Sequence, residues 1–193
     1  MIVSVSGLAC IRGGRRLYAG LEFTLAAGES LRLTGPNGVG KSSLIRQICG
    51  LLPCTEGSIS LSASPALADE RAALDADRRL GEALRFWARL DSAPSDLLDQ
   101  AIERMGLDAL AELPVRMLST GQRKRAALAR VLASGAALWL LDEPGNGLDD
   151  ASLGALGRAM DAHVAGGGTI IAASHFDLPH SFTRSIDLRY CAP

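Results

Sequence analysis

Three short stretches of this 193-residue chain carry side chains that could bind and activate a phosphate group. The first, GPNGVGKS at residues 35–42, fits the pattern G-x-x-x-x-G-K-[S/T]. Its glycines let successive backbone N–H groups point inward around an anion, and the next helix adds its positive end. We expect Lys41 to reach the β- and γ-phosphate oxygens and Ser42 to supply a ligand to Mg²⁺. The predicted phosphate contacts are Gly35, Pro36, Asn37, Gly38, Val39, Gly40, Lys41, Ser42 and Ser43.

The second stretch, LWLLDE at residues 138–143, reads as an apolar strand that ends in two carboxylates. In α/β sheets the carboxyl ends of the strands meet beside the phosphate loop, so these acids are expected there. Asp142 would hold hydrated Mg²⁺, and Glu143 would accept or orient a proton of the water that attacks the phosphate. The alternative, a solvated strand end or helix-capping acids, is disfavoured by the phosphate loop earlier in the chain.

The third stretch is LSTGQRKRAALAR at residues 118–130, a glycine turn that runs into a basic helix. A Ser-Thr-Gly helix start presents free backbone N–H groups and a hydroxyl, which predicts a second anion site and is compatible with a plain N-cap at Ser119 or Thr120. The basic run RKR could instead bind nucleic acid. Because 20 Lys and Arg residues are balanced by 21 Asp and Glu residues, the broad positive field of nucleic-acid binders is absent. We therefore expect no nucleic-acid partner.

The order of predicted elements indicates an α/β fold. Short strands fill residues 1–34, a helix follows the phosphate loop, and the later apolar strands ALWLLDE and TIIAAS alternate with helices near 119–133 and 150–165. Such alternation predicts a parallel sheet covered on both faces. From about 63 to 113 the composition predicts a helical insert rather than a sheet layer. We expect one domain, with residues 1–62 and 114–193 as core and about 63–113 as a helical subdomain.

The cysteine pattern favours a cytosolic protein. The four cysteines show neither a CxxC pair nor neighbouring histidines, which favours reduced thiols over a zinc site or a disulfide framework. We find neither a window of about 20 apolar residues nor a charged and then apolar leader at the N-terminus. The sequence is therefore expected to be neither secreted nor inserted in a membrane.

The chain resembles the ATP-binding cassette (ABC) ATPases over nearly its whole length, with GPNGVGKS, LSTGQ, LWLLDEP, GLD and SH in that family's order. The resemblance implies a P-loop NTPase fold with an N-terminal antiparallel β part, and ATP with Mg²⁺ as cofactors. It also implies that two copies pair head to tail, so that Ser119, Gly121 and Gln122 of one copy close on the γ-phosphate held by the other. One chain alone should then hydrolyse ATP poorly.

Two further roles come from the same resemblance. His175 follows the strand TIIAAS, where the family places a histidine that contacts the γ-phosphate and helps position the attacking water; with Lys41 and Glu143 it completes the expected catalytic set. Asp149 resembles the aspartate that links the two active sites across the pair. By spacing alone, Asp149 is equally well a helix N-cap.

Two features depart from the family pattern. The aromatic residue that stacks on adenine is missing near Ile11 and Arg12, so the Arg12 guanidinium is expected to lie against the base, with Tyr18 as a fallback and loose base selectivity. The family's glutamine that touches Mg²⁺ is also missing, because the sequence has no Gln between residues 51 and 99. Glu70 or Asp69 would be its substitute.

A narrower resemblance is to the ATP-binding subunit of the bacterial heme exporter of cytochrome c maturation, the CcmA family, in GLACIRGGRRLYAGLEFTLAAGE, LRFWARL and RKRAALARVLASGAALWLLDEP. It implies a peripheral protein on the cytoplasmic side of the inner membrane, bound to a separate membrane-spanning subunit. Phe86 and Trp87 are either anchors for that subunit or ordinary helix packing. Two rivals remain: export of another small molecule or lipid, and a soluble cassette acting on ribosomes or DNA.

Overall fold

The computed structural model describes residues 1–69 and 73–191. Within these ranges it has eight strands and five α-helices, together with three short 3-10 turns. The strands are β1 Val3–Arg12, β2 Arg15–Leu25, β3 Ser30–Thr34, β4 Glu56–Leu61, β5 Pro65–Ala68, β6 Leu138–Asp142, β7 Thr169–Ala173 and β8 Arg184–Asp187. The helices are α1 Lys41–Ile48, α2 Leu80–Leu90, α3 Ser95–Arg104, α4 Thr120–Ala133 and α5 Asp150–Ala165.

The strands form two sheets. The larger one is entirely parallel, in the order β5-β6-β7-β3-β8, and the smaller one is antiparallel, in the order β2-β1-β4. The predicted α/β fold with an N-terminal antiparallel part is confirmed.

The parallel sheet separates two hydrophobic cores, and alternate residues of its central strands enter opposite ones. Trp139 and Leu141 of β6 pack with the buried residues of the helices on one face, whereas Leu138 and Leu140 pack against α1 and the antiparallel sheet. Strand β7 alternates in the same way. A strand buried on both faces reads as a continuous apolar run, which is why LWLL and TIIAA show no polar alternation.

The expectation of a purely helical insert over 63–113 is wrong at Pro65–Ala68. These residues pair in parallel with β6 as the edge strand of the larger sheet. Proline and alanine are poor strand formers, and four residues carry no readable period, so the pairing with β6 overrides the local preference. Helices α2 and α3 occupy most of the later part of this segment.

The sheet order brings three loops to one edge. Strands β6, β7 and β3 are neighbours, and their carboxyl ends lead into Glu143, Ser174 and the loop that begins at Gly35. Ligands of open parallel sheets bind at this edge. In the described ranges we find no helix long and apolar enough to span a bilayer.

Candidate active site

The phosphate loop needs glycine at three points. Gly35, Gly38 and Gly40 have φ values of 126°, 82° and 117°, in the left-handed region that residues with a side chain avoid. Gly40 also faces the ring of Tyr18 so closely that a Cβ atom there would lie 2.9 Å from it. The loop leads directly into α1, whose first helical residue is Lys41. The backbone thus turns from β3 so that the positive end of α1 faces the loop.

Lys41 connects the phosphate loop to the end of β6. Its side chain is only 6% exposed, and its Nζ donates to the Gly35 carbonyl at 2.8 Å. The same Nζ lies 3.8 Å from Glu143 Oε1. Lys41 and Glu143, which are 102 positions apart in sequence, therefore lie next to each other in the site.

Ser42 and Asp142 form the second connection. The Ser42 hydroxyl donates to Asp142 Oδ1 at 3.0 Å. Asp142 is buried, and this burial raises the pKa of its carboxyl above the usual range, although the hydrogen bond from Ser42 and the charge of Arg46 act in the opposite direction.

This pair fits a magnesium ion. A hydroxyl and a carboxylate are hard oxygen ligands, and a divalent cation would favour the ionised form of a buried carboxylate. Within the described residues there is no cluster of three or more His, Cys, Asp and Glu side chains that would form an all-protein cage. Mg²⁺ does not need one, because it uses one or two protein oxygens, substrate phosphates and water.

Glu143 and His175 are in contact. His175 Nδ1 lies 2.8 Å from Glu143 Oε2, and the Glu143 side chain is 14% exposed whereas that of His175 is 52% exposed. Glu143 has a φ of +49°, which for a residue with a side chain costs on the order of 1–3 kcal/mol. Strain of this kind is common at functional sites.

A cavity of about 490 Å³ covers these groups. Its volume lies in the range of small-molecule sites. The residues that line it are Arg12, Leu17, Asn37, Gly38, Gly40, Lys41, Ser42, Ser43, Glu143, Asn146 and His175. Leu17 and Asn146 are additions to the predicted set. Asn146 could have been found because it follows Glu143 by three residues in the turn PGNG, and Leu17 because it alternates with a buried neighbour on β2.

Tyr18 cannot serve as the fallback stacking residue, and that expectation is wrong. Its side chain is fully buried, and its hydroxyl donates to Gln47 Oε1 at 2.5 Å. Burial is the largest cause that raises the pKa of Tyr18 far above its ordinary value. Arg12, by contrast, lines the cavity where the base was expected.

The residues of the turn LSTGQ do not line this cavity. Ser119 is the N-cap of α4, where its Oγ accepts from the Gln122 N–H at 3.2 Å while Gln122 Oε1 accepts from the Ser119 N–H at 2.8 Å. Asp149 is the N-cap of α5 and accepts from the Ser152 N–H at 2.8 Å, and hydrogen bonding to the side chain and the backbone of Ser152 lowers the pKa of the Asp149 carboxyl. Both N-cap expectations are confirmed. The proposed action of these residues on a second copy stays a prediction.

Asp69 lies near the place of the missing glutamine. It follows β5, and β5 pairs with β6 so that Ala68 stands opposite Leu141. Asp69 Oδ2 lies 3.9 Å from an Arg46 nitrogen, and the charge of Asp69 is one cause of the raised pKa of Asp142. Glu70, the other suggested substitute, lies outside the described residues.

Comparison with known proteins agrees with this geometry. The family model described as ABC transporter matches residues 18–146. The cytochrome c biogenesis ATP-binding export protein CcmA of Sphingopyxis alaskensis is 49% identical over 178 residues, which are 92% of each chain. The CcmA protein of Novosphingobium aromaticivorans is 49% identical over 96% of this chain and 95% of its own. A solved structure titled as the ATP binding subunit of an ABC transporter superposes with a TM-score of 0.84 at 23% identity, over 91% of this chain and 80% of that one, which bears on the fold alone.

Proposed function

Since the chain belongs to the ABC transporter family and, within it, to the CcmA group of cytochrome c biogenesis ATP-binding export proteins, we propose that two copies of it power a membrane exporter. The chain is an ABC-type ATPase that binds ATP. The observation that carries the mechanism is the convergence of Lys41, Glu143 and His175 in one cavity beside the Ser42–Asp142 hydrogen bond.

ATP is held by its triphosphate. The backbone N–H groups of residues 35–43, apart from Pro36, which has none, surround the β- and γ-phosphates, and the positive end of α1 favours the charge. The Lys41 ammonium turns from the Gly35 carbonyl to the phosphate oxygens, since a charged acceptor gives the stronger hydrogen bond. Arg12, which lines the same cavity, would lie along the base.

Hydrolysis requires an oriented water molecule. Glu143 accepts a proton from that water or orients it, and His175 fixes the carboxylate through the 2.8 Å contact while its exposed face reaches the γ-phosphate. Ser42 and Asp142 would hold Mg²⁺, which supplies charge neutralisation on the phosphate oxygens when bound.

The turn at residues 119–122 completes the site of a second copy. Ser119, Gly121 and Gln122 lie at the positive N-terminus of α4, where the capping box leaves backbone N–H groups of the first turn free for an anion. They do not line the chain's own cavity. A head-to-tail pair would place them on the γ-phosphate of the neighbour, with Asp149 near the junction of the two sites.

The membrane partner would bind on the helical side. A groove of about 840 Å³ runs between the start of β5, the end of α2 and α4, and Trp87, Leu90 and Arg130 line it. At its rim Leu51 and Leu90 are 65% and 63% exposed. Phe86, which lies on α2 with Leu90, is 51% exposed. Exposed apolar side chains beside a groove are typical of protein contacts. We assign the partner contact to the helical subdomain, on the side formed by α2.

The names of the relatives support a proposal for the cargo. Their shared name ties them to cytochrome c biogenesis and export, and we propose the heme step of that process for this chain, on the cytoplasmic side of the inner membrane. Export of another small molecule or lipid would use the same catalytic residues. Nucleic acid is not proposed as a partner, because acidic and basic residues almost balance.

A membrane pull-down tests the assignment. Glu143→Gln removes the base but keeps the shape of the side chain, so it should bind ATP and hold the closed assembly. With ATP, we expect a second copy of the chain and a polytopic membrane protein to co-purify, and Lys41→Ala, which loses phosphate binding, should not retain the closed pair. Recovery of ribosomes or DNA in place of a membrane protein would contradict the exporter.

A further inference from the structure

The peptide unit between Asp142 and Glu143 is held at both of its polar ends. Its N–H group, which belongs to Glu143, donates to the Ala173 carbonyl at 2.9 Å. Its carbonyl, which belongs to Asp142, accepts from Lys124 Nζ at 3.4 Å. The first bond comes from β7, which leads to His175. The second comes from α4, none of whose residues lines the chain's own cavity.

This peptide plane contributes to the conformation of Glu143. The angle φ describes rotation about the bond from the Glu143 nitrogen to its Cα, and its value is set by the orientation of this plane relative to the rest of Glu143. The value of +49° lies in the left-handed region, which persists for a residue with a side chain only where surrounding contacts determine it. Lys124 therefore helps to keep the Glu143 carboxylate at the place where it meets His175.

The same helix begins with the turn that is proposed to meet the second copy. Lys124 lies four residues after Thr120, which is about 6 Å along the helix axis. Gly121, in the first turn, approaches the loop after β6 so closely that a Cβ atom there would lie 3.1 Å from the Gly147 carbonyl oxygen. Contacts from the start of α4 thus reach both ends of the segment 142–147, and a shift of the helix would move the Glu143 peptide directly.

We propose that Lys124 is a positioning residue for Glu143. When residues 119–122 dock on the ATP of the neighbouring copy, Lys124 transmits the movement of α4 to the Glu143 carboxylate of its own chain. The inference rests on the proposed function, in which Glu143 orients water and the turn of α4 closes on the other nucleotide. Lys124 acts through the Asp142 carbonyl and is not one of the residues that line the cavity.

The test compares Lys124→Met, which keeps the stem but loses the N–H donors, with Lys124→Arg, which keeps charge and donors. Arg123→Met is the matched control, because Arg123 is the exposed neighbour on the same helix. Full-length chains are assayed for ATP hydrolysis at concentrations where the rate per chain has reached its plateau, together with ATP affinity, ATP-dependent pairing and thermal stability. We expect Lys124→Met to lose at least fivefold in kcat with KM, pairing and Tm unchanged, Lys124→Arg to recover at least half, and Arg123→Met to match the original.

The possible outcomes distinguish a failure of this inference from a failure of the proposed function. A kcat of Lys124→Met within twofold of the original, an equal loss in Arg123→Met, or a loss that follows Tm and is not rescued by arginine would overturn the positioning role alone. Should Lys124→Met fail to fold, Lys124→Leu, which also lacks a donor, takes its place under the same criteria. If the original chain shows no ATP hydrolysis that depends on Glu143, the proposed mechanism itself is wrong.

Discussion

Arg12, which is proposed to contact the base, and Leu17 both line the cavity, and their side chains carry no hydrogen-bond acceptor. Adenine and guanine differ in the donors and acceptors on their edges, and a guanidinium lying on the ring face does not read them. These two side chains therefore distinguish the two purines only weakly, and the triphosphate, which both nucleotides share, is expected to supply most of the binding.

We expect GTP to support hydrolysis with a kcat/KM within about tenfold of that for ATP, and Arg12→Ala to raise KM for both by about three- to tenfold, as the loss of a cation–π contact would. Steady-state kinetics with both nucleotides measure this. Arg15→Ala, opposite Arg12 in the β1–β2 hairpin, is the control and should change neither constant. A preference for ATP above a hundredfold would contradict loose base selection.

His163 makes stability depend on pH. Its ring stacks on Trp139 with centroids 3.8 Å apart, its Nε2 is buried without a hydrogen-bond partner among the described residues, and burial lowers its pKa below the ordinary value. The unfolded chain takes up a proton near pH 6.5 whereas the folded chain does not, so stability is full above this pH and falls as the pH drops below it.

Denaturation followed between pH 7.5 and 5.5 should thus show a loss of stability on acidification. His163→Phe keeps the stacked ring and removes the titrating group, so its curve should be flatter over the same interval. Identical pH dependence in both proteins would mean that His163 is not responsible.

At the scale of elements, α5 offers a matched pair of glycines. A Cβ atom at Gly157 would lie 2.2 Å from the Pro179 carbonyl oxygen, whereas one at Gly154 meets only the end of the flexible Arg158 side chain, at 3.4 Å. Gly157→Ala should lower the free energy of unfolding by about 1–3 kcal/mol through overpacking. Gly154→Ala should raise it by up to about 1 kcal/mol through helix propensity. Urea unfolding measures both, and equal effects would refute the close packing of α5 on Pro179.

Helix α2 presents its two aromatic residues differently. Phe86 is 51% exposed, whereas Trp87 donates its indole N–H to the Ala73 carbonyl at 2.7 Å and stacks under the Arg130 guanidinium. Phe86→Ala should therefore weaken capture of the membrane partner with little change in Tm. Trp87→Ala should lower both the capture of the partner and the Tm. Co-purification from membranes and thermal melts measure these effects. A stable Trp87→Ala with normal capture would remove the groove from the partner contact.

The elements show what a single sequence can and cannot predict here. GPNGVGKS and LWLLDE place Lys41, Ser42, Asp142 and Glu143 correctly at one edge, because the carboxyl ends of neighbouring parallel strands must meet there. Sequence alone does not predict the strand Pro65–Ala68, because its pairing partner lies about 70 residues away and its composition disfavours strands. It also does not predict the burial of Tyr18 against Gly40 and Gln47, because this depends on how β2 packs on the loop.

At the scale of the whole molecule, the motifs do not all meet at one site within a single chain. The phosphate loop, Glu143 and His175 share one cavity, and Asp142 is hydrogen-bonded to Ser42 beside it, whereas the turn at residues 119–122 does not line that cavity and lies at the exposed start of α4. A chain built in this way would hold ATP by itself and lack one set of donors to the γ-phosphate. A second copy would supply that set, and each copy would contribute to both sites.

Mixing two inactive variants tests this central claim most directly. Lys41→Ala lacks a working phosphate loop but keeps the turn of α4, and Ser119→Arg has the opposite defect, so each alone should hydrolyse almost no ATP. In a mixed pair, the loop of the Ser119→Arg chain faces the intact turn of the Lys41→Ala chain. Random two-fold pairing should then restore roughly a quarter of the original rate per chain. A mixture as inactive as its components, or a Ser119→Arg chain that is fully active alone, would contradict the shared site.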